Sequence, residues 1–355
     1  MVRVLVVDDS MAMRRFLVRE LGKDPDIEVV GAAPDPFVAR DMIFERNPDV
    51  LTLDLEMPRM DGLTFLRRIM KHRPMPVVVY SSLTTEGGAK ALEALAAGAV
   101  DVMGKPASAE TAGEAVQELA ERLKVVARAS VVHDAAARRK GGAPAVPAPR
   151  ATARGRDKLL AIGASTGGTV AVESILTNLR PGEARGVIVQ HMPEVFTRSF
   201  ADRLSRVCEL DIREARDGDP LLPGSILIAP GGRHMVIRRA AHELYAEIKS
   251  GPTVNGHRPS IDVTFASIAE CVAPQMVAVI LTGMGRDGAQ GLLKIHDAGG
   301  RTLAQDEASS VVFGMPKVAI ELGAADHVSP LDQMPGRIAR LLDEEGGRES
   351  RTAAP

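Results

Sequence analysis

The sequence predicts an α/β protein in which a (βα)5 domain is joined by a linker to a doubly wound, mostly parallel α/β domain. Short apolar runs alternate with helical apolar patterns over residues 1–122, and the alternation resumes over residues 157–345. Strands that alternate with helices form parallel sheets covered on both faces. The segment between the two series, residues 123–156, is rich in Ala, Arg and Pro and has no sustained period.

The composition is that of a globular protein of two or three domains, with 355 residues, 45% hydrophobic and 25% charged. A net charge of −2 gives no strong field that would attract nucleic acid or a membrane surface. No segment approaches the roughly 20 apolar residues that cross a bilayer, and the N-terminal apolar run meets two acids at once, unlike a signal peptide. Cys208 and Cys271 lack metal-ligand spacing. We therefore expect a reduced, cytoplasmic protein with no nucleic-acid partner and no membrane insertion.

The first domain is predicted to contain five strands, each followed by a helix. The predicted strands are Val4–Val7, Ile27–Gly31, Val50–Leu53, Val77–Tyr80 and Ala99–Met103. The predicted helices are Met11–Leu21, Pro36–Glu45, Leu63–His72, Gly88–Ala97 and Ala109–Leu123. Ligands of such sheets lie beyond the carboxyl ends of the strands, so the residues that follow each strand are candidate functional residues.

Polar side chains follow four of these strands. Asp8 and Asp9 follow the first strand, Asp54 the third, Ser81 the fourth and Lys105 the fifth. Three carboxylates at one edge repel each other unless a cation is present, and oxygen ligands of this kind suit Mg²⁺. A nearby lysine and hydroxyl would then suit a phosphoryl group. The alternative is a flavodoxin-like domain in which these acids only cap helices.

This set of residues resembles the receiver domain of two-component response regulators, which has a flavodoxin-like fold. The resemblance rests on Val7-Asp8-Asp9-Ser10, Asp54-Leu-Glu-Met-Pro58, Met60-Asp61-Gly62, Ser81-Ser82 and Lys105-Pro106. It implies that Asp54 is phosphorylated and that Asp8 and Asp9 bind Mg²⁺ together with it. It also implies that Ser81 and Lys105 contact the phosphoryl oxygens.

The Ala-, Arg- and Pro-rich linker cannot bury a core, and its prolines favour a semi-extended tether. Its first residues could extend the preceding helix, and its basic run could bind an acidic partner, although a solvated linker is the simpler interpretation. Residues 346–355 are predicted to form a disordered tail.

The second domain is predicted to have three central parallel strands, because three apolar runs are nearly continuous. These runs are Leu159–Gly163, Gly186–Gln190 and Val277–Leu281. Three shorter runs are predicted to be antiparallel pieces at an edge, namely Ser225–Ala229, Met235–Arg238 and Leu244–Ile248. The predicted helices are Val170–Leu176, Val195–Leu204, Ser260–Cys271, Ala289–Asp297, Met315–Leu322 and Leu331–Leu342.

Ser165 lies at a glycine-rich turn between a predicted strand and a predicted helix, in the sequence Gly163-Ala-Ser165-Thr-Gly167-Gly168. The Gly-x-Ser-x-Gly spacing has the form of a nucleophile elbow. The free N–H groups and positive dipole end of the helix that follows favour an anion. The turn could equally cradle a phosphate, but it lacks the endings of a P-loop and of the dinucleotide-binding motif. We predict that Ser165 is a nucleophile.

His191 and Asp287 also follow apolar strands, so they could meet Ser165 at one edge of the sheet. A serine nucleophile needs a base, and the base needs an acid that fixes its tautomer. The chain order Ser, His, Asp differs from the order Ser, Asp, His of α/β-hydrolases. From spacing alone, His191 could instead be a structural histidine, and Asp287 could only cap the helix that starts at Gly288.

The whole chain resembles the chemotaxis protein-glutamate methylesterase/glutamine deamidase family, CheB. The motifs that carry the resemblance are Ile162–Gly168, Gln190–Pro193, Ala229–Met235, Asn255–Asp262 and Leu281–Gly288. It implies that Ser165, His191 and Asp287 form a catalytic triad and that N–H groups around Thr166 and Met284 bind the oxyanion. His234 and His257 lie in the same motifs and are treated as packing or substrate-edge residues.

The resemblance also implies the activity and its control. The expected substrates are glutamate γ-methyl esters and glutamines of methyl-accepting chemotaxis receptors, hydrolysed without a cofactor for the esterase chemistry. The receiver is expected to cover the active site until a chemotaxis histidine kinase supplies the phosphoryl group for Asp54. Two alternatives are an output domain that only binds a partner and a general esterase for small molecules.

Overall fold

The computed structural model describes residues 1–82, 84–106, 109–127, 158–180, 185–241, 243–272 and 274–344. The predicted linker from residue 128 to 156 and the predicted tail, residues 346–355, lie outside the described residues. The chain divides into two compact units, residues 1–142 and 143–355.

The first unit alternates strands and helices as predicted. Its strands are β1 (Val2–Val7), β2 (Ile27–Ala33), β3 (Val50–Leu53), β4 (Val77–Ser81) and β5 (Asp101–Gly104). Its helices are α1 (Met11–Leu21), α2 (Pro36–Arg46), α3 (Gly62–His72), α4 (Thr85–Ala96) and α5 (Ala109–Val126). All strand pairs are parallel, in the order β2-β1-β3-β4-β5. The predicted (βα)5 architecture with a parallel sheet is confirmed for this unit.

Polar side chains cap the N-termini of several of these helices. The carboxylates of Asp35 and Asp61 accept backbone N–H groups in the first turns of α2 and α3, and the Ser10 hydroxyl does so for α1. Such caps satisfy N–H groups that have no partner within the helix. Helix α5 continues beyond Leu123, its predicted end, because Leu123 and Val126 are both completely buried.

The second unit is built around a seven-stranded parallel sheet. The strands of the whole unit are β6 (Leu159–Ala164), β7 (Arg185–Gln190), β8 (Asp211–Glu214), β9 (Ser225–Ile228), β10 (His234–Ala240), β11 (Glu243–Lys249), β12 (Met276–Ile280), β13 (Arg301–Gln305) and β14 (His327–Ser329). Its helices are α6 (Gly168–Leu176), α7 (Glu194–Val207), α8 (Ile261–Cys271), α9 (Ala289–Asp297), α10 (Met315–Glu321) and α11 (Met334–Asp343). The order in the large sheet is β14-β13-β12-β6-β7-β9-β8.

The prediction of an antiparallel edge is partly wrong. Strands β10 and β11 do form an antiparallel hairpin outside the large sheet. Strand β9 instead pairs in parallel with both β7 and β8, so it is an inner strand of the large sheet. Its four residues are all buried, which is typical of an inner parallel strand.

The direction in which successive strands are added to the large sheet reverses beside β6. From β6 the chain proceeds to β7 on one side, and it later returns to β12 on the other. Ligand sites in open α/β sheets lie at such a switch point, beyond the carboxyl ends of the strands. The turns that follow β6, β7 and β12 are therefore neighbours at one edge. No helix among the described residues is long and apolar enough to cross a membrane.

Candidate active site and phosphoryl-acceptor site

Ser165 lies at the carboxyl end of β6, where the chain turns into α6. The Ser165 N–H donates to the Thr282 carbonyl at 3.1 Å, and the Ser165 carbonyl accepts the Gly168 N–H at 2.7 Å. Gly167 has a φ of 76°, a conformation that favours glycine. The side chain of Ser165 is therefore held at the N-terminus of α6 within a tight, glycine-dependent turn.

The turn after β12 lies directly against this serine. A Cβ atom added at Gly283 would lie 2.7 Å from Cβ of Ser165 and 2.4 Å from Sδ of Met315, so only glycine fits. The Thr282 hydroxyl donates to the Thr166 carbonyl at 3.0 Å. These contacts bring Thr166 and Met284, the two predicted oxyanion residues, into neighbouring turns.

His191 follows β7 in register with Ser165. Ala164 pairs with Gln190 across the two strands, and the His191 N–H donates to the Ala164 carbonyl at 3.1 Å. The imidazole is almost fully buried, and its Nε2 lies 2.9 Å from Oδ2 of Asp287. Nδ1 is also buried and has no hydrogen-bond partner among the described residues. The His191 ring therefore has one nitrogen bound by an acid and the other without a partner among the described residues.

Asp287 is the most heavily hydrogen-bonded group of the site. Its Oδ2 accepts from His191 and from the Ile261 N–H, and its Oδ1 accepts from Asn255, the Ser260 hydroxyl and the Asp262 N–H. Burial raises the pKa of Asp287, but the hydrogen bonds from His191, Asn255 and Ile261 outweigh burial and hold it well below its usual range. The carboxylate is thus charged and acceptor-only.

Since an ionised carboxylate only accepts hydrogen bonds, Nε2 of His191 carries the proton in that bond. Nδ1 is then the basic nitrogen of the neutral ring. The alternative that Asp287 merely caps the helix after Gly288 is wrong, because α9 has no side-chain cap. Asp287 instead contacts the N-terminus of α8, where the helix dipole favours a negative charge.

Several supporting residues were not assigned roles from the sequence. Gln190 Nε2 donates to the Ser165 carbonyl at 2.9 Å and so connects the ends of β6 and β7. Asn255 Nδ2 bonds both Asp262 and Asp287, at 2.7 and 2.8 Å. Both residues occur in the sequence motifs, but only the tertiary fold shows which groups their amides meet.

His234 and His257 differ in their surroundings. His234 is buried, with Nε2 2.9 Å from the Pro252 carbonyl and Nδ1 accepting the Ser260 N–H at 3.2 Å. It therefore packs behind Ser260, in agreement with the expected packing role. The ring of His257 stacks on the ring of His191, with centroids 3.7 Å apart and an interplanar angle of 13°.

The predicted phosphoryl-acceptor residues of the first unit are also close together. One carboxylate oxygen of each of Asp8, Asp9 and Asp54 lies within 4.8 Å of the others. Lys105 Nζ lies 2.6 Å from Asp54 and 2.8 Å from Asp8. Burial lowers the pKa of Lys105, but its ion pairs outweigh burial and raise it; for Asp8, burial is the larger influence and raises the pKa. An all-oxygen set of this size fits Mg²⁺.

Ser81 completes this cluster at the end of β4. It is completely buried, and its hydroxyl has no hydrogen-bond partner among the described residues. A hydroxyl in this position can donate a hydrogen bond to a further acceptor.

Each of the two units is similar to a known protein family. Residues 160–338 match the CheB methylesterase family and residues 4–117 the response regulator receiver domain. A protein-glutamate methylesterase/protein-glutamine glutaminase of Anaeromyxobacter dehalogenans is 57% identical over 351 residues, covering 98% of this chain and 96% of that relative. One from Pseudomonas aeruginosa is 49% identical, covering 98% and 97%. The CheB methylesterase catalytic domain of Thermotoga maritima has a TM-score of 0.51 and 40% identity, covering 52% of this chain and 98% of that chain.

Proposed function

Because this chain belongs to the CheB methylesterase family, we propose that Ser165, His191 and Asp287 are the catalytic triad of a protein-glutamate methylesterase/protein-glutamine glutaminase. The observation that carries the proposal is the state of the His191 ring. Its Nε2 is bound to an ionised carboxylate, and its Nδ1 is buried and unpaired among the described residues. The backbone of His191 is hydrogen-bonded to Ala164, the residue before Ser165. A general base in a serine hydrolase needs this arrangement.

The proposed reaction is acyl transfer from the ester to water. His191 Nδ1 takes the Ser165 proton as the serine oxygen bonds to the γ-carbonyl carbon of a methylated receptor glutamate. The tetrahedral intermediate then expels methanol, which leaves with the proton from Nδ1. Water then attacks the acyl-serine while His191 Nδ1 takes a proton from it. The proton returns to the Ser165 oxygen as the glutamate carboxylate is released. Asp287 holds the ring and stabilises its charged form throughout.

We further propose that the N–H groups of Thr166 and Met284 bind the oxyanion. The N–H groups of the preceding residues, Ser165 and Gly283, donate to the carbonyls of Thr282 and Val312 and hold the two turns in place. The two proposed donors belong to turns held together by the Thr282 side chain. Removing one such donor typically costs about 10²- to 10³-fold in rate.

Glutamine deamidation can use the same site. The amide carbonyl is attacked in the same way, and ammonia leaves in place of methanol with the proton from His191. The substrates we propose for both reactions are methyl-accepting chemotaxis receptors, with a chemotaxis histidine kinase as phosphodonor. A cytoplasmic location stays a prediction from the sequence.

In the receiver domain we propose that Asp54 accepts the phosphoryl group. Asp8, Asp9 and Asp54 would hold Mg²⁺, which would neutralise charge on the transferred group. Lys105 now pairs with Asp54 and Asp8, so it is placed to transfer to a phosphoryl oxygen. The unpaired Ser81 hydroxyl would donate to the same group. These two movements change the surface at the ends of β4 and β5.

We propose that the unphosphorylated receiver restrains the esterase. A phosphodonor is therefore expected to raise methanol release from methylated receptor membranes by about 5- to 150-fold, the usual range of allosteric coupling. Asp54→Asn should remain at the basal rate with or without the phosphodonor. Methanol release is measured directly, and Asp41→Asn, at an exposed acid on α2, is the matched control.

A shortened protein that begins at Arg156 lacks the receiver. It therefore distinguishes inhibition of the esterase by the unphosphorylated receiver from direct activation by the phosphorylated one. The second unit has its own core, and a relative's catalytic domain has been solved alone. We expect the shortened protein to release methanol faster than the unphosphorylated full chain. An equal or lower rate would contradict restraint by the receiver, and activation of Asp54→Asn by phosphodonor would contradict the role of Asp54.

A further inference from the structure

The imidazole of His191 has one hydrogen bond among the described residues, through Nε2. A single hydrogen bond does not fix the tilt of a ring about the bond axis. The ring must nevertheless keep Nδ1 aimed at Ser165, because displacement of a catalytic group by about 1 Å can cost on the order of 10²-fold in rate. Another contact must therefore hold the plane of the ring.

The ring of His257 makes such a contact. It covers the His191 ring at a centroid distance of 3.7 Å and an interplanar angle of 13°. Two nearly parallel rings cannot hydrogen-bond to each other, since their nitrogen lone pairs and N–H bonds lie in the ring planes. The geometry therefore suits a stacking partner of the base and does not suit a second base acting on it.

The segment that carries His257 is a tight turn. Val254 and His257 exchange two backbone hydrogen bonds of 3.0 Å, and between them Asn255 and Gly256 have φ values of 53° and 81°. Positive φ at both central residues is the type I′ hairpin turn, for which Asn-Gly is the favoured sequence. The backbone of His257 is thus held by a tight, hydrogen-bonded turn.

The same turn also contacts the acid of the site. The Asn255 amide donates to Oδ1 of Asp287 and to Asp262, and Asp262 in turn accepts the Gly291 N–H at 2.6 Å. Two side chains of one turn, Asn255 and His257, therefore reach the acid and the base. When the acid is fixed from one side and the ring is covered on its face, the direction of Nδ1 is determined.

We propose that the Val254–His257 turn is a clamp on the catalytic dyad and that His257 is a positioning residue that holds the ring plane of His191. The inference rests on the proposed function of His191. Within the clamp, an aromatic face at residue 257 is the essential feature. A face of this kind also accommodates the positive charge that His191 carries after it takes the Ser165 proton.

The test compares His257→Phe, which keeps a ring, with His257→Gln, which keeps a polar side chain without one. In the full chain with phosphodonor, His257→Gln should lower kcat for methanol release by roughly 10- to 100-fold with little change in KM. His257→Phe should restore kcat to within several-fold of the unaltered protein and keep the same pH profile. His72→Gln, at an exposed histidine of α3, is the matched control.

A second readout does not depend on turnover. In the unaltered chain, the Nε2 proton of His191 should give one protected imidazole NMR signal, which is retained in His257→Phe and broadened in His257→Gln. If the unaltered chain released no methanol, the proposed function would fail while this readout still tested the clamp. Normal kcat and a sharp signal in His257→Gln, or a loss in His257→Phe equal to that in His257→Gln, would overturn the proposal.

Discussion

Ser165→Ala is expected to lower methanol release from methylated receptors by about 10⁴- to 10⁶-fold, because no other group can form the acyl-enzyme. The fold should be retained. Ser165 is held through its backbone N–H and carbonyl, which alanine keeps, and the hydroxyl is not needed for these bonds. Methanol release and phosphorylation of Asp54 should be measured on the same preparation, and only the first should be lost.

The control for this change is Ser205→Ala, since Ser205 is exposed on α7 and its hydroxyl bonds only a carbonyl of its own helix. It should release methanol at the normal rate. Turnover by Ser165→Ala within tenfold of the unaltered protein would remove Ser165 from the nucleophile role. That result would indicate that another residue of the second unit is the nucleophile.

Asp287→Asn is expected to lower kcat by about 10⁴-fold, as is typical when the acid that orients a catalytic histidine is neutralised. The structural reason is the donor set around the carboxylate. Both oxygens of Asp287 accept N–H or O–H groups, so an amide NH₂ would face another donor whichever way it turned. Asn would also permit the wrong tautomer of His191.

The same substitution should change the pH dependence of stability. The pKa of Asp287 in the folded protein is depressed, so its stabilising effect is complete above the unfolded value of about 4 and is lost as the pH falls through the folded value. Denaturant unfolding of the full chain should therefore show a smaller loss of stability below about pH 4 in Asp287→Asn. Asp202→Asn, at an exposed acid, should show the same loss of stability at low pH as the unaltered protein. An unchanged loss in Asp287→Asn would show that the Asp287 carboxylate is not ionised in the folded protein.

The positions of the candidate site residues were predictable because these residues directly follow buried strands. Asp8, Asp54, Ser165 and His191 each come at the end of an apolar run, and the carboxyl ends of parallel strands share one edge. This reasoning needs only the strand positions and the direction of pairing. It does not need the identity of neighbouring strands, so it applies without knowledge of the strand order.

The supporting contacts were not predictable from the same pattern. Whether the Asn255 amide meets Asp287, or the His257 ring covers His191, depends on where α8 and the Val254–His257 turn pack against the sheet. The direction of β9 was also missed, since its apolar run is short and lies close to a true hairpin. Strands β8 and β14 are edge strands with few apolar residues, so periodicity gave no signal for them.

Covalent labelling of the native full chain with a fluorophosphonate probe, followed by peptide mass spectrometry, tests the nucleophile most directly. The geometry predicts a single phosphonylated residue, Ser165, and no label on the chain unfolded in denaturant. Loss of methanol release should follow the extent of labelling in proportion. A chain that releases methanol while Ser165 stays unlabelled, or that is inactivated by label at another residue, would contradict the account.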